Sequence, residues 1–197
     1  IDLIEATYKD IQEDIEKNKG IVLDSLLKLT EVRQWAMVKA LENFPPSSKG
    51  NFGQYVVDYY NLDLPKSEKT GKYSLTAKNI EGLDEGPAKD FLLTGEPDLT
   101  ERDLMTISLE LWKEKNDGAS VNIQSKTHLG EIVFDYLGEK ALNKTDKGKS
   151  KFDMEMLKEL KDKYEWAENL RVFNKLIKIR STYIERFLDA HEDGMYY

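Results

Sequence analysis

Apolar side chains recur every three to four residues along most of this chain, the period of a helix with one buried face. The clearest stripe is Leu26, Leu27, Leu29, Val32, Trp35, Ala36, Met37, Val38 and Leu41; with Asp24 as cap, it predicts a helix over 24–43. An earlier helix is predicted over 3–17, ending at the turn Asn18-Lys19-Gly20, where glycine suits a helix C-terminus. Pro45-Pro46 stops the second helix. Thr100, with Asp103 three residues on, has the form of a capping box and opens a helix over 100–115. Further helices are predicted over 125–136, 151–164 and 165–190. Residues 84–98, with Gly86-Pro87, Gly95 and Pro97, read as the least regular connection. Strand signals are sparse, the best being Met195-Tyr196-Tyr197. The expected class is mainly α.

An internal repeat organises this pattern. Shifting the chain by 77 residues aligns 44–83 with 121–160 without a gap, giving nine identities in forty. Ser48-Lys49 falls on Ser125-Lys126, Gly53 on Gly130, Val56 on Val133, and Asp58-Tyr59 on Asp135-Tyr136. Gly71-Lys72 falls on Gly148-Lys149, and Leu83 on Leu160. Each copy reads as a serine-started helix, a lysine-rich glycine turn and a second short helix, the pattern of a duplicated unit.

Composition narrows the chemistry. The 197 residues are enough for one large domain or two small ones, and no run of 18 apolar residues offers a membrane-spanning helix. Cysteine is absent, which excludes disulfides and thiol catalysis and fits a cytoplasmic setting. The chain starts at Ile1 without methionine and ends in an apparent strand, as expected of a piece cut from something longer. The net charge of −8 argues against nucleic acid until its distribution is followed. Residues 1–120 hold 15 basic and 23 acidic side chains, whereas 121–197 hold 14 of each. Lys140, Lys144, Lys147, Lys149 and Lys151 crowd one short stretch against Asp146 alone. A polyanion is therefore expected on the C-terminal part.

The last helix supplies a second basic feature. At 100° per residue Arg171, Lys175, Lys178, Thr182 and Arg186 share one face, while Phe173, Leu176, Ile177, Ile184 and Phe187 take the other. Arg180 falls within the apolar face and is expected to be paired or to face another part of the protein. Ser125 and Lys126 open a helix, where free backbone N–H groups and the dipole favour phosphate. Other chemistry finds little support: His128 and His191 are far apart and read as surface residues, and no phosphate-binding loop, nucleophile motif or zinc spacing occurs. Trp35, Trp112 and Trp166 read as core anchors.

Four runs, in order, resemble the thumb of the pol I-type (family A) DNA polymerases. They are Ile15-Glu16-Lys17-Asn18-Lys19-Gly20-Ile21-Val22-Leu23-Asp24; Val121-Asn122-Ile123-Gln124-Ser125-Lys126 with Leu129-Gly130-Glu131-Ile132-Val133-Phe134-Asp135; Lys144-Thr145-Asp146-Lys147-Gly148-Lys149-Ser150; and Lys178-Ile179-Arg180-Ser181-Thr182-Tyr183. Asn174 stands where the family usually has arginine, and Ile177 where it has threonine. The resemblance implies an elongated helical thumb over 1–43 and 121–197, with antiparallel helices at 24–43 and 165–190 and a tip at 121–163, interrupted by an inserted repeat at 44–120. It implies DNA binding through Ser125, Lys126, Thr145, Lys147, Gly148, Lys149, Ser150, Lys175, Lys178, Ser181 and Thr182, by backbone contacts to the primer–template duplex during replication. Nothing matches the family's metal-binding catalytic aspartates, so the segment is expected to need no cofactor, magnesium and nucleotidyl transfer belonging to the rest of a parent polymerase. Some phage members carry a thumb insert that receives a processivity protein, and the acidity of 44–120 suits such a docking role. A duplicated tip gripping DNA through Lys49, Lys66, Lys69 and Lys72, or a free-standing DNA- or polymerase-binding protein, are the other readings.

Overall fold

The computed structural model describes residues 2–95 and 99–192, with only the backbone of Asp2, His191 and Glu192. The expected strand at 195–197 and the side chain of His191 lie outside the described residues. The chain is mainly helical, with one two-stranded antiparallel ribbon. It divides into two compact units, residues 1–33 with 122–197 and residues 34–121.

The first unit begins with α1 (Asp2–Leu27), which runs unbroken through the expected turn at Asn18-Lys19-Gly20. The buried residues Ile15, Val22 and Leu26 explain why: their spacing keeps one stripe in phase across Gly20. Burial of that stripe outweighs the roughly 1 kcal/mol that glycine costs inside a helix. The break comes later, at Lys28-Leu29, where the Arg33 guanidinium donates to the Leu27 and Lys28 carbonyls at 2.7 and 3.0 Å. These are the orphan acceptors of a helix end. Asp24 accordingly does not start a helix; α2 (Thr30–Asn43) does so six residues later and stops before Pro45-Pro46.

The rest of the first unit comprises α7 (Lys126–Glu131), a π-helical turn Ile132–Tyr136, β1 (Asn143–Lys144), β2 (Ser150–Lys151), α8 (Met154–Leu160) and α9 (Glu165–Ile179). A second π-helical turn, Arg180–Ile184, leads into α10 (Glu185–Glu192). The expected helix over 165–190 is thus continuous, with a π-helical turn inside it, and the helix expected from 151 begins only at Met154. α9 buries Trp166, Ala167, Leu170 and Phe173 and packs along α1, whose last turn holds the start of the expected 24–43 helix. Gln12 accepts from the Arg180 guanidinium at 2.6 Å, and Glu185 lies 3.1 Å from its Nε. The one arginine on the apolar face is therefore paired, as its position required.

The second unit contains most of α2, then α3 (Gly50–Tyr59), α4 (Ala77–Glu81), α5 (Pro87–Thr94) and α6 (Glu101–Lys115). Its core gathers Phe52, Val56, Val57, Leu64, Ile80, Phe91, Leu92, Ile107 and Leu111. The unit starts at Gln34 because α2 buries Trp35, whose ring meets Trp112 edge-on at 6.2 Å. The stretch 84–98, expected to be irregular, contains α5. Its Pro87 sits in the first helical turn and its Gly95, at φ +76°, ends the helix in the left-handed conformation. Those residues are helix boundary signals, not loop signals.

Candidate nucleic-acid interface

Three local structures position the expected DNA-binding residues, all in the first unit. At the start of α7 the Ser125 hydroxyl accepts from the His128 N–H at 3.3 Å, so Ser125 is the helix cap and Lys126 the first helical residue. The preceding loop is braced from within. Asn122 Oδ1 accepts from the Gln124 N–H at 3.0 Å, and the Asn122 N–H donates to His128 Nδ1 at 3.2 Å. His128 is therefore a half-buried brace instead of the surface residue expected.

The lysine-rich stretch forms the ribbon, Asn143 facing Lys151 and Lys144 facing Ser150. The Thr145 N–H donates to the Lys149 carbonyl and the Gly148 N–H to the Thr145 carbonyl, both at 2.8 Å. The Lys149 N–H meets the Thr145 hydroxyl at 3.1 Å. Gly148 takes φ +75°, a conformation costly for a residue with a Cβ. Closing the turn this way leaves Lys144, Lys147, Lys149 and Ser150 exposed. Lys144, Lys147 and Lys149 form no ion pair among the described residues, and Lys151 lies 3.6 Å from Asp153.

Sequence reasoning missed the groups that hold this ribbon. Asp153 caps α8 by accepting from the Glu155 and Met156 N–H groups at 3.1 and 3.0 Å. It also accepts from the Asn143 amide at 3.2 Å, and Asn143 donates to Glu155 at 2.7 Å. The Met156 N–H and the other donors hold the Asp153 carboxyl below the usual carboxylate range. On the other flank Glu139 accepts from Lys163 and from the Tyr164 hydroxyl, the latter at 2.7 Å. An Asp just ahead of an apolar helix was the available signal for Asp153; nothing local in sequence pairs Glu139 with residues more than twenty positions on.

On α9 the expected basic face is exposed at Arg171, Lys175 and Lys178. Arg171 is held by Glu168 through two bonds of 2.7 and 2.8 Å, whereas Lys175 and Lys178 form no ion pair among the described residues. Two hollows adjoin this face. One, of about 510 Å³, is lined by Lys126, Asn143, Lys151, Phe152, Asp153 and Asn174 among others. The second, of about 620 Å³, is lined by Arg171, Val172, Lys175, Leu176, Lys178 and Ile179. Met154 and Asn174 line both, so the hollow bordered by Lys126 adjoins the one bordered by Lys175 and Lys178. Thr145, Lys147, Gly148, Lys149 and Ser150 stand on the ribbon outside both. Ser181 and Thr182 lie in the second π-helical turn and line neither hollow. Among the described residues no group of three or more His, Asp or Glu side chains could hold a metal ion, and none of these residues is assigned a metal-assisted step. None of their helices is long and apolar enough to cross a membrane.

This arrangement suits a phosphate backbone. Lysines without ion pairs, hydroxyls and helix-start N–H groups contact phosphate oxygens without reading bases. The family model described as DNA polymerase family A matches residues 98–195. Comparisons with curated proteins and with solved structures found no match. The matched stretch includes three of the four polymerase-like runs, those at 121–135, 144–150 and 178–183. Residues 98–195 are thus a segment related to the family A DNA polymerases.

Proposed function

We propose that the chain is the thumb part of a DNA-directed DNA polymerase and holds the primer–template duplex by its phosphate backbone during replication. The observation that carries this reading is the ribbon turn at 144–151. Its lysines are exposed, and its shape is fixed by Gly148, Thr145 and the Asp153–Asn143 bond. Lys126, Lys175 and Lys178 supply further positive charge around the two adjoining hollows. Catalysis and its magnesium belong, on this reading, to the remaining parts of the polymerase, which are partners along with DNA.

The test is duplex binding by the full chain, read by fluorescence anisotropy at several salt concentrations. Non-specific affinities of roughly 10⁻⁴ to 10⁻⁶ M are the reference, and a net acidic chain belongs at the weak end. Replacing Lys147, Lys149 and Lys178 together with Gln should weaken binding and flatten its salt dependence, regardless of DNA sequence. Replacing Lys9, Lys17 and Lys28 should do neither. Equal effects from the two triples would end the assignment.

A second reading, that 44–120 docks a basic processivity protein, draws support from charge. Residues 34–121 hold 10 basic and 15 acidic side chains.

A further inference from the structure

We infer that the turn 66–72 of the second unit is a second phosphate-binding element for duplex nucleic acid, an inference that rests on the proposed duplex-holding function. The two turns share more than composition. Lys66 and Tyr73 form an antiparallel bridge around 67–72, as β1 and β2 do around 145–149. The Ser67 N–H donates to the Lys72 carbonyl at 2.8 Å across a six-residue loop, as the Thr145 N–H does to the Lys149 carbonyl across a five-residue one. Gly71 takes φ +67°, its counterpart Gly148 φ +75°. In each turn a threonine hydroxyl accepts from a lysine N–H, Thr70 from Lys72 two residues on at 3.4 Å and Thr145 from Lys149 four residues on at 3.1 Å. The helix after each turn also keeps register: α4 begins at Ala77 and α8 at Met154, each capped by the preceding side chain, Thr76 and Asp153.

The second turn is held at least as firmly. The Gln54 side chain accepts from the Tyr73 N–H at 2.6 Å and donates to the Tyr73 carbonyl at 2.9 Å. The Tyr73 hydroxyl donates to Asp58 at 2.5 Å, and the Lys66 ammonium sits 4.4 Å from the centre of the Tyr73 ring. Lys66, Lys69 and Lys72 are exposed and form no ion pair among the described residues. A rigid turn loses little side-chain and loop entropy on contact, which favours a weak, repeated anion such as a phosphate backbone. Residues 66–72 are exposed throughout and include no large apolar side chain. Protein interfaces are usually anchored by such side chains, so nucleic acid is the better-fitting occupant. Three lysines and Glu68 make this turn the weaker of the two, since 144–151 sets four lysines against Asp146.

The experiment compares three triple Lys→Gln variants of the full chain on one 30-base-pair duplex, by anisotropy across a salt series. Each removes the same charge from exposed positions. The triple at 66, 69 and 72 should weaken binding several-fold and reduce the logarithmic salt slope by about 2 to 3, near 0.9 per lost phosphate contact. Indistinguishable behaviour from the triple at 9, 17 and 28, with a loss for the triple at 147, 149 and 178, overturns this inference and leaves the proposed function standing. It would also return 44–120 to the protein-docking reading. No loss for either the 66, 69 and 72 or the 147, 149 and 178 triple overturns both. A loss for 66, 69 and 72 alone keeps this turn and overturns the assignment of the first.

Discussion

The two lysine-rich turns each close on an antiparallel pair with a left-handed glycine, but on different supports. In the first unit the turn is held at its base by carboxylates: Asp153 binds Asn143 and caps α8, and Glu155 binds Asn143 as well. In the second, the neutral Gln54 amide clamps Tyr73 on both backbone groups, and a carboxylate, Asp58, reaches only the Tyr73 hydroxyl. The helix before the turn differs too. Ser125 caps α7 with its hydroxyl, whereas α3 starts after Lys49 with no side-chain cap, so the serine-started pattern expected of both copies holds for one. What persists is the left-handed glycine and the register of the helix that follows. Backbone conformation constrains these positions more tightly than any one side-chain partner does.

The largest test of this comparison lies in the two cores. Trp35→Ala and Trp166→Ala each remove a fully buried indole and should cost about 3–5 kcal/mol. Deuterium uptake should rise chiefly in 34–121 for the first and in 122–192 for the second. Uptake spread evenly over the chain in both variants would break the division into units.

Cap removal should separate the turns. Asp153→Ala removes a cap and the ribbon's anchor, and should cost about 1–2 kcal/mol, against about 0.5–1 kcal/mol for Thr76→Ala, whose hydroxyl accepts one bond at 3.4 Å. Chemical denaturation measures both, and a costlier Thr76 change would contradict the difference in support. Gly71→Ala and Gly148→Ala should instead cost nearly the same, about 1 kcal/mol each, because an added Cβ meets nothing within 4 Å at either site. Only the left-handed backbone resists the change. A large inequality would mean that one turn is held by contacts the other lacks.

Acid should have the smallest effect, with the same sign in both units. Asp103 accepts from Thr100, Tyr60 and Tyr59, at 2.7, 2.9 and 3.0 Å, and these bonds lower its pKa from 3.8. Burial first, then the Asp103 bond, pushes the Tyr60 hydroxyl up to about 12. A carboxyl with a depressed folded pKa stabilises fully above its unfolded value and less as pH falls through the folded one. Stability should therefore decline below about pH 4. Asp103→Asn or Asp153→Asn should each flatten that decline in thermal melts, and a decline equally steep in both variants would remove these carboxylates from the account.

Helices were legible in the sequence wherever an apolar stripe was long: the Thr100 cap, the stop at Pro45-Pro46 and the buried tryptophans all follow from local pattern. Breaks were not. Gly20 and Pro87 invite the same punctuation reading, yet one lies mid-helix and the other starts a helix, because burial at Val22 and Leu26 or at Phe91 and Leu92 decides. The basic turn and α9 face were visible as charge patterns. Their braces, Glu139 with Lys163 and Tyr164 and Gln12 with Arg180, join residues 24 to 168 positions apart, which periodicity cannot register.

The most direct measurement of the central claim is a backbone amide NMR titration of the full chain with short duplex DNA. Shifts should concentrate at 125–126, 144–151 and 175–182, with weaker ones at 66–72, and should vanish together as salt is raised. Shifts confined to other surfaces, or a pattern that follows DNA sequence and survives high salt, would contradict a thumb that holds the duplex by its backbone.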